Sequence, residues 1–297
     1  MFGLGSGRLT TSVEGLLGPS DERPADRVGL ALQWLGTAGF RVLSKGHHLW
    51  LDPHLSRHSL LELATGKIVP KLANIERDVD RADAVVVGHS HFDHALDAPA
   101  IAKLRGARVY GAEDTLNWCR GYGVPEAQLR RMEGRGESYA EGPFTLRPVR
   151  SQHSPFLAGQ VPFAGPISLP LQGPAPVWAW RVGQVFGLHL QGPGPSIYHV
   201  GSADLIEAEM TGIQADVVLC CTIGRHSVRN FTQRVVAALR PKLVVPCHWD
   251  LFWQPLQAPP RQILTNDLAG FIAEVAACAN APQVRVLPPR GWAVLQP

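Results

Sequence analysis

Three histidines and one aspartate lie within six consecutive residues in the first third of the chain. His89, His91, Asp93 and His94 form the pattern H-x-H-x-D-H, which chance would produce in roughly one of a thousand chains of this size and composition. Neutral imidazole and carboxylate groups are the ligands that zinc and other borderline divalent ions prefer, and a buried cluster of them without metal would be difficult to satisfy. This hexad, residues 89–94, therefore predicts a metal site.

The spacing within the hexad predicts two neighbouring ions. The hexad directly follows the apolar run 84–88, which is typical of a buried strand. Residues two apart in an extended segment point to the same side, so His89 and His91 can share one ion. If the chain turns after His91, then Asp93 and His94 are aimed elsewhere, which suggests a second, adjacent ion.

Three further candidate ligands lie just past the ends of other apolar strands. In chain order they are His153 after the run 144–149, Asp204 after 196–201, and His248 after 243–246. Active sites of sheet proteins commonly form at such strand ends, where loops converge. We therefore expect these three side chains to complete the ligand set.

The order of these segments resembles the metal-ligand positions of metallo-β-lactamase-fold hydrolases. The resemblance rests on the hexad, on the lone His153, and on the sequences Gly-Ser-Ala-Asp and Pro-Cys-His-Trp-Asp that contain the other two candidates. It covers residues 28–297. Segments 34–40 and 51–53 are similar to the opening strands of the broad-specificity hydrolase subgroup.

The resemblance implies a role for each ligand. The first ion would be held by His89, His91 and His153, the second by Asp93, His94 and His248, and Asp204 would bridge both. Asp52, at a strand end before a proline, would orient a ligand imidazole through its carboxylate, as is common beside metal ligands. The implied cofactors are two divalent metal ions, with Zn²⁺ preferred and Mn²⁺ or Fe²⁺ as alternatives.

The pattern of elements and the resemblance predict the same fold. Strand-rich runs broken by helical stretches indicate two sheets packed face to face with helices outside, an α/β (α+β) architecture of four αββα layers. We expect one domain over residues 28–297, preceded by a loosely attached tail over 1–27 that is rich in Gly, Ser and Thr. After the hexad, Asp97 is expected to cap a helix.

Two departures from the family pattern predict an altered pocket. Thr37 stands where many relatives carry a histidine, and the loop 223–230 stands where relatives often carry a Gly-rich loop. Within that loop we expect Arg225 and His226 to contact substrate, and His226 is a candidate proton donor. No cysteine occupies a ligand position, which argues against β-lactam cleavage as the native role.

Residues 154–195 form an apolar, Pro-rich insertion. They contain eight of the chain's 25 prolines, a density that excludes a long helix, while their apolar content argues against disorder. Because the insertion begins directly after His153, we expect part of it to fold over the metal cleft, with Phe156 and Trp178 contacting an apolar part of the substrate. A dimer contact or plain packing explains the same composition equally well.

Composition limits the functional classes. A net charge of +3 on 297 residues argues against a nucleic-acid partner, for which a concentrated basic face would be expected. The five cysteines form no C-x-x-C pair, which favours a reduced, intracellular setting. No run approaches the roughly 18 consecutive apolar residues of a membrane span. We expect a cytoplasmic protein that acts on a small-molecule substrate, as a monomer or a homodimer.

The expected reaction is metal-dependent hydrolysis of an ester-type bond. Two divalent ions can share a hydroxide and lower the pKa of its parent water to near neutrality, which supplies a nucleophile without Ser or Cys. The sequence agrees, because it contains no G-x-S-x-G elbow and no Walker loop. Asp93 would orient the hydroxide, and water or His226 would protonate the leaving group. Phosphoesters, carboxylic esters and lactones are all open as substrates.

Other functional classes are compatible with the same ligands. An iron-dependent oxidoreductase is one, because ligand type alone does not exclude iron. A nuclease of the same superfamily is disfavoured by the lack of a basic appended domain. A non-catalytic binding protein would be expected to have lost ligands, and none is missing from the sequence.

Overall fold

Two seven-stranded sheets contain most of the strands in the computed structural model, which describes residues 10–156 and 159–296. In chain order the strands are β1 (Thr10–Ser12), β2 (Ala31–Trp34), β3 (Phe40–Ser44), β4 (His47–Leu51), β5 (Ala84–Val86), β6 (Arg108–Gly111), β7 (Leu129–Arg131), β8 (Tyr139–Glu141), β9 (Phe144–Ser151), β10 (Val185–Gln191), β11 (Ile197–Val200), β12 (Val217–Cys221), β13 (Leu243–Cys247), β14 (Arg261–Ile263), β15 (Gln283–Val284) and β16 (Trp292–Val294). The α-helices are α1 (Leu60–Thr65), α2 (Leu72–Asp78), α3 (Phe92–Ala95), α4 (Ala98–Arg105), α5 (Glu113–Gly121), α6 (Phe231–Leu239) and α7 (Leu268–Ala276). None of the helices in these ranges is long and apolar enough to cross a membrane.

Both sheets combine an antiparallel half with a parallel half. The first sheet has the order β16-β2-β3-β4-β5-β6-β7, antiparallel from β16 to β4 and parallel from β4 to β7. The second has the order β15-β13-β12-β11-β10-β9-β8, parallel from β15 to β11 and antiparallel from β11 to β8. Parallel neighbours need crossover connections, and α4, α5 and α6 supply them between β5 and β6, β6 and β7, and β12 and β13.

The largest hydrophobic core lies between the two sheets. It joins Trp34 and Phe40 of the first sheet to Leu188 and Val245 of the second, all fully buried. A second core lies under the other face of the first sheet and includes Trp118 of α5. The four-layer αββα sandwich expected from the sequence is confirmed.

The hexad changes direction directly after β5. The strand is a fully buried Ala-Val-Val run with parallel neighbours on both sides, as expected for a strand covered on both faces. The main-chain carbonyl of His91 then accepts hydrogen bonds from the N–H groups of His94 and Ala95, at 3.0 and 2.9 Å. This helical turn, α3, places Asp93 and His94 beside His248, while the ring of His94 stays close to that of His89.

The N-terminal segment is more firmly attached than its composition predicts. Strand β1 pairs antiparallel with β14, and Asp21 forms a main-chain bridge to Trp292. The carboxylate of Asp21 also lies 2.9 Å from Nη2 of Arg285. Apolar burial adds to these polar contacts, because Val13 is 1% exposed within the core between the two sheets, and Leu16 and Leu17 pack against the same core. Residues 1–9 of the expected tail lie outside the described residues.

The insertion packs mainly against the first half of the chain. Trp180 is fully buried edge-on against Trp118, with ring centroids 5.0 Å apart. Ala175 forms a main-chain bridge to Ile68, and the last part of the insertion becomes β10. Among its described residues, those that border the metal cleft lie between positions 154 and 163.

Asp97 precedes α4 as expected, but its side chain does not cap the helix. Its Oδ2 accepts hydrogen bonds from the main-chain N–H groups of Leu55 and Ser56, at 2.5 and 2.8 Å. The expectation of a helix cap was wrong because the neighbouring loop offers two amides to the same carboxylate. Burial raises the pKa of Asp97 even though these hydrogen bonds act to lower it.

Candidate metal centre

Six of the predicted ligands meet at one edge of the sandwich, in two groups of three. The first group is His89, His91 and His153, and the second is Asp93, His94 and His248; within each group the donor atoms lie within 4.8 Å of one another. In each group two residues come from the hexad, and the third follows a strand of the second sheet, β9 or β13. This is the grouping that the family resemblance implies.

The imidazoles of the first group pack edge to face. The ring centroid of His153 lies 5.0 Å from that of His89 and 4.7 Å from that of His91. Nε2 of His91 lies 2.9 Å from the carbonyl oxygen of Pro162, and Nδ1 of His153 lies 2.8 Å from that of Ser154. A carbonyl oxygen can only accept, so these contacts fix which ring nitrogen carries the proton and hold the ring orientation.

The second group contains a carboxylate and is supported by another. Oδ2 of Asp93 lies 3.2 Å from Nε2 of His248. Nδ1 of His94 donates to Oδ2 of Asp52 at 2.8 Å, and Oδ1 of Asp52 accepts from the main-chain N–H of Gly88 at 2.6 Å. Asp52 therefore stands behind the ligand and orients its imidazole, an arrangement common around bound metal ions.

Burial keeps the histidines of the first group neutral. It lowers the pKa of His91 to about 4 and that of His153 to about 3. The pKa of His89 also falls well below its usual value, chiefly because of burial. Metal ligation requires an unprotonated imidazole, so these side chains are in the binding form at neutral pH.

The second group keeps a negative charge. Burial alone would raise the pKa of Asp93, but the attraction of His94 and His248 holds it well below its usual value. Burial opposes protonation of His94, yet the attraction of Asp52 and Asp93 raises its pKa. Nδ1 of His248 is buried without a hydrogen-bond partner. An ionised carboxylate among imidazoles with few protein partners is a donor set that fits a divalent cation.

A contact between the two sheets fixes His248. Its main-chain N–H donates to the carbonyl oxygen of Thr37 at 2.7 Å, and its φ of +56° is left-handed. The N–H of Thr37 donates to Oδ1 of Asp250 at 2.8 Å, and Oδ2 of Asp250 lies 2.7 Å from Nη1 of Arg57. Thr37 thus positions the ligand through its main chain, and its side chain is fully buried.

Asp204, the expected bridge between the two groups, lies elsewhere. Its Oδ1 accepts from the main-chain N–H of Leu205 at 2.8 Å and lies 3.4 Å from Nη1 of Arg234. Strand β11 ends just before Gly201, so Gly201 and Ser202 are the residues that reach the cleft from it. The structure thus corrects the expectation that Asp204 joins the donor groups, because the chain turns away from the cleft before it reaches this residue.

The two groups open into a cleft of about 170 Å³. Its apolar wall consists of Phe92, Phe156, Pro162, Phe163, Ile223 and Phe252. Polar groups other than the ligands come from Ser154 and Ser202, and from the thiol of Cys221, whose pKa burial raises well above its usual value. Among the described residues that line the cleft there is no Lys or Arg.

Of the predicted substrate contacts, Phe156 lines the cleft, whereas Trp178 does not. Trp178 lies on a short 3-10 turn with 58% of its surface exposed. Trp180, the residue after this turn, is fully buried. The expectation was therefore wrong for Trp178, because this part of the insertion packs away from the cleft.

Arg225 and His226 also lie away from the cleft lining. Arg225 is buried, its Nε lies 3.3 Å from the carboxylate of Glu274, and its Nη2 donates to the carbonyl oxygen of Asp267 at 2.7 Å. His226 is exposed. The expectations for both residues are corrected: their loop reaches the cleft at Ile223 and then turns toward the start of α7, where Arg225 is held.

Two aromatic side chains beside the ligands were not identified from the sequence. The ring of Phe163 stands edge-on to His91, with centroids 6.1 Å apart, and that of Phe252 stands edge-on to His248 at 5.8 Å. Phe163 belongs to the insertion that was expected to border the cleft. Phe252 follows the predicted ligand His248 closely in the chain, and this closeness could have identified it as a residue of the site.

Comparison with known proteins identifies a family and several metal-dependent hydrolases that are similar to this chain. The family described as "Beta-lactamase superfamily domain" matches residues 47–249, a stretch that contains both donor groups. A UPF0173 metal-dependent hydrolase of Anaeromyxobacter sp. (strain K) is 28% identical over 281 residues, covering 91% of this chain and 88% of that protein. A second, of Myxococcus xanthus, is 29% identical over 250 residues, covering 82% and 78%.

Solved structures share the fold. Igni18, a metallo hydrolase of Ignicoccus hospitalis, gives a TM-score of 0.55 at 21% sequence identity, and the match covers 89% of this chain and 97% of that one. The family match spans more than half of the chain and includes every residue of the two donor groups. The chain therefore belongs to the β-lactamase superfamily, as a metal-dependent hydrolase with the metallo-β-lactamase fold.

Proposed function

We propose that the protein hydrolyses an ester-type bond in a small, uncharged and partly apolar substrate, using divalent metal ions held by the two donor groups. The observation that carries this proposal is that five of the six donor residues, all except His89, line one cleft with an apolar wall. Zn²⁺ is the preferred ion because imidazole and carboxylate suit it, and Mn²⁺ or Fe²⁺ are the alternatives. An ester of a carboxylic acid and a lactone are the preferred substrates.

Metal ions bound here would lower the pKa of a water molecule to near neutrality and polarise the oxygen that gains charge. The chain contributes the orientation of the donors. Asp52 holds the ring of His94, and the carbonyl of Pro162 holds that of His91. Asp93 stays ionised, so its carboxylate can accept a hydrogen bond from the attacking water and orient it.

The walls of the cleft support an uncharged substrate. Sites that bind phosphate groups usually supply Arg or Lys, and among the described residues the cleft lining contains neither. Arg225, which the sequence suggested as a substrate contact, forms an ion pair with Glu274 instead. Phe156 and Phe163 are 50% and 39% exposed, so their rings are available to an apolar substituent.

The leaving group obtains its proton from solvent in this proposal. His226 is exposed and lies outside the cleft lining. The thiol of Cys221 lines the cleft, but its raised pKa keeps it protonated and poorly nucleophilic. Hydrolysis therefore proceeds without a covalent intermediate on the protein.

The test is metal quantification of the purified protein, followed by a panel of carboxylic ester, lactone, phosphodiester and phosphotriester substrates. We expect zinc in the protein, turnover of an ester or lactone, and loss of that turnover on chelation with recovery when zinc is restored. Near-stoichiometric iron with consumption of dioxygen would replace the proposal with an iron-dependent oxidoreductase. Preferred turnover of phosphodiesters would overturn the substrate class.

A further inference from the structure

The two donor groups together contain a single carboxylate. Asp93 belongs to the second group, and the first consists of three histidines. The carboxylate of Asp204 pairs with Arg234, which also forms an ion pair with Glu207. Asp204 belongs to neither donor group. The donor set therefore offers one negative charge to any pair of divalent ions.

The groups are too close for two ions to be independent. The rings of His89 and His94, which belong to different groups, have centroids 3.9 Å apart. Two divalent ions repel each other four times as strongly as two unit charges at the same separation. A carboxylate that two ions could share would offset this repulsion. Among the described residues the donor groups contain only the carboxylate of Asp93, which belongs to the second group.

Ser202 is the side chain from the end of β11 that lines the cleft shared by both groups. It follows β11, is 5% exposed, and lines the cleft together with His153 of the first group and His94 and His248 of the second. Its Oγ accepts a hydrogen bond from the main-chain N–H of Ser154 at 3.3 Å. A hydroxyl is neutral at this position and supplies no charge to either group.

The two groups also differ in their own charge. The second group contains the carboxylate of Asp93, and its His94 is hydrogen-bonded to the carboxylate of Asp52. The ring nitrogens of the first group meet main-chain carbonyls, at His91 and His153. A cation is therefore attracted more strongly to the second group.

We propose that the centre binds one divalent ion tightly at Asp93, His94 and His248 and a second much more weakly at the three histidines, because Asp93 favours the second group and the neutral Ser202 supplies no carboxylate for two ions to share. This inference rests on the proposed metal-dependent function. Removing a charged partner of a metal ligand costs about ten- to a hundredfold in affinity, so we expect the second ion to bind about a hundredfold more weakly than the first.

The test is titration of the metal-free, full-length protein with Zn²⁺ against a competing chelator, with Co²⁺ absorption spectra as a second readout. Wild type should show one tight and one weak equivalent. His153→Ala should remove the weak equivalent, and His248→Ala the tight one. Two equivalents of equal affinity in wild type, or loss of the tight equivalent in His153→Ala, would overturn the proposal.

Two further variants test the roles of Ser202 and Asp204. Ser202→Asp should tighten the second equivalent by at least about tenfold, while Ser202→Ala, the matched control, should leave both unchanged. Asp204→Asn should keep both equivalents, and loss of either in this variant overturns the proposal even if Ser202→Asp does not fold. Failure of wild type to bind any metal would instead refute the proposed function, so the two failures are distinguishable.

Discussion

Oδ2 of Asp52 accepts a hydrogen bond from Nδ1 of His94 at 2.8 Å, and both side chains are almost fully buried. Asp52 directly follows β4, and its other oxygen binds the N–H of Gly88, which follows β5. The same carboxylate therefore holds two neighbouring strand ends together and orients a metal ligand. Its φ of +41° is a left-handed conformation that Asp and Asn tolerate better than other side chains do.

Asp52→Asn tests this relationship. The substitution keeps the size and the backbone preference of the side chain but removes the charge behind His94. We expect the affinity of the tighter metal position to fall by about ten- to a hundredfold, measured by competition with a chelator. Glu76→Gln, an exposed residue of α2, is the matched control. Unchanged affinity in Asp52→Asn would contradict the orienting role.

The stability of the metal-free protein should fall as the pH drops below about 6.5. In the folded protein burial lowers the pKa of His91 to about 4 and that of His153 to about 3. The unfolded chain therefore binds protons that the folded chain does not, and stability is lost between about pH 6.5 and these lowered values, on the order of 3 to 5 kcal/mol per group. His94 has a raised pKa and offsets part of this loss, since its contribution is largest at low pH.

Urea unfolding in the presence of a chelator at pH 7.5, 6 and 5 measures this dependence. His153→Ala should show a shallower decline than wild type, because one of the groups that resist protonation is gone. A wild-type stability that stays constant or rises toward pH 5 would show that burial does not hold these imidazoles neutral.

Two histidine substitutions distinguish the contribution of the metal centre to turnover from that of the exposed loop at His226. His91→Ala removes a donor of the first group and should reduce metal-dependent turnover by about a thousandfold or more, because the proposed nucleophile is a hydroxide that needs an ion in both groups. His226→Ala replaces an exposed side chain outside the cleft lining and should retain turnover. Steady-state rates, with circular dichroism to check the fold, measure both. A large loss in His226→Ala would restore its proposed role as proton donor.

Phe163→Ala should weaken binding of an apolar substrate. The ring lines the cleft beside His91 and is 39% exposed, so a bound substituent would cover the rest of it. We expect KM to rise about fivefold, equivalent to about 1 kcal/mol of lost apolar contact, with kcat little changed. Trp178→Ala removes a larger aromatic outside the lining and should leave KM unchanged. An equal rise in KM in both variants would indicate that the substitutions disturb the insertion as a whole and would contradict a direct contact between Phe163 and substrate.

The sequence predicted the features of the site that depend on local pattern. A buried apolar run followed by His89 and His91 is recognisable because a strand and the residue type after it are both local properties. For the same reason, the ends of β9 and β13 pointed to His153 and His248. The two-sheet architecture followed from the spacing of such runs.

What could not be predicted depends on contacts between distant segments. Ser202 and Asp204 both follow β11, but Ser202 lines the cleft whereas Asp204 pairs with Arg234 of α6, a contact that the local sequence does not reveal. Arg225 likewise depends on Glu274, a residue of α7 that is 49 positions away. A charged side chain in a loop near a strand end is easily taken for a substrate contact when the residue that forms an ion pair with it is distant in the sequence.

Neither sheet contains a complete donor group. The hexad follows a strand of the first sheet, while His153 and His248 follow strands of the second. A bound ion in either group would therefore join the two halves of the sandwich, and half of the protein alone would lack a three-ligand site. During synthesis, the tighter group is incomplete until residue 248 of the 297 has been made and docked. A complete three-ligand site of this group would therefore form only after most of both sheets has been synthesised.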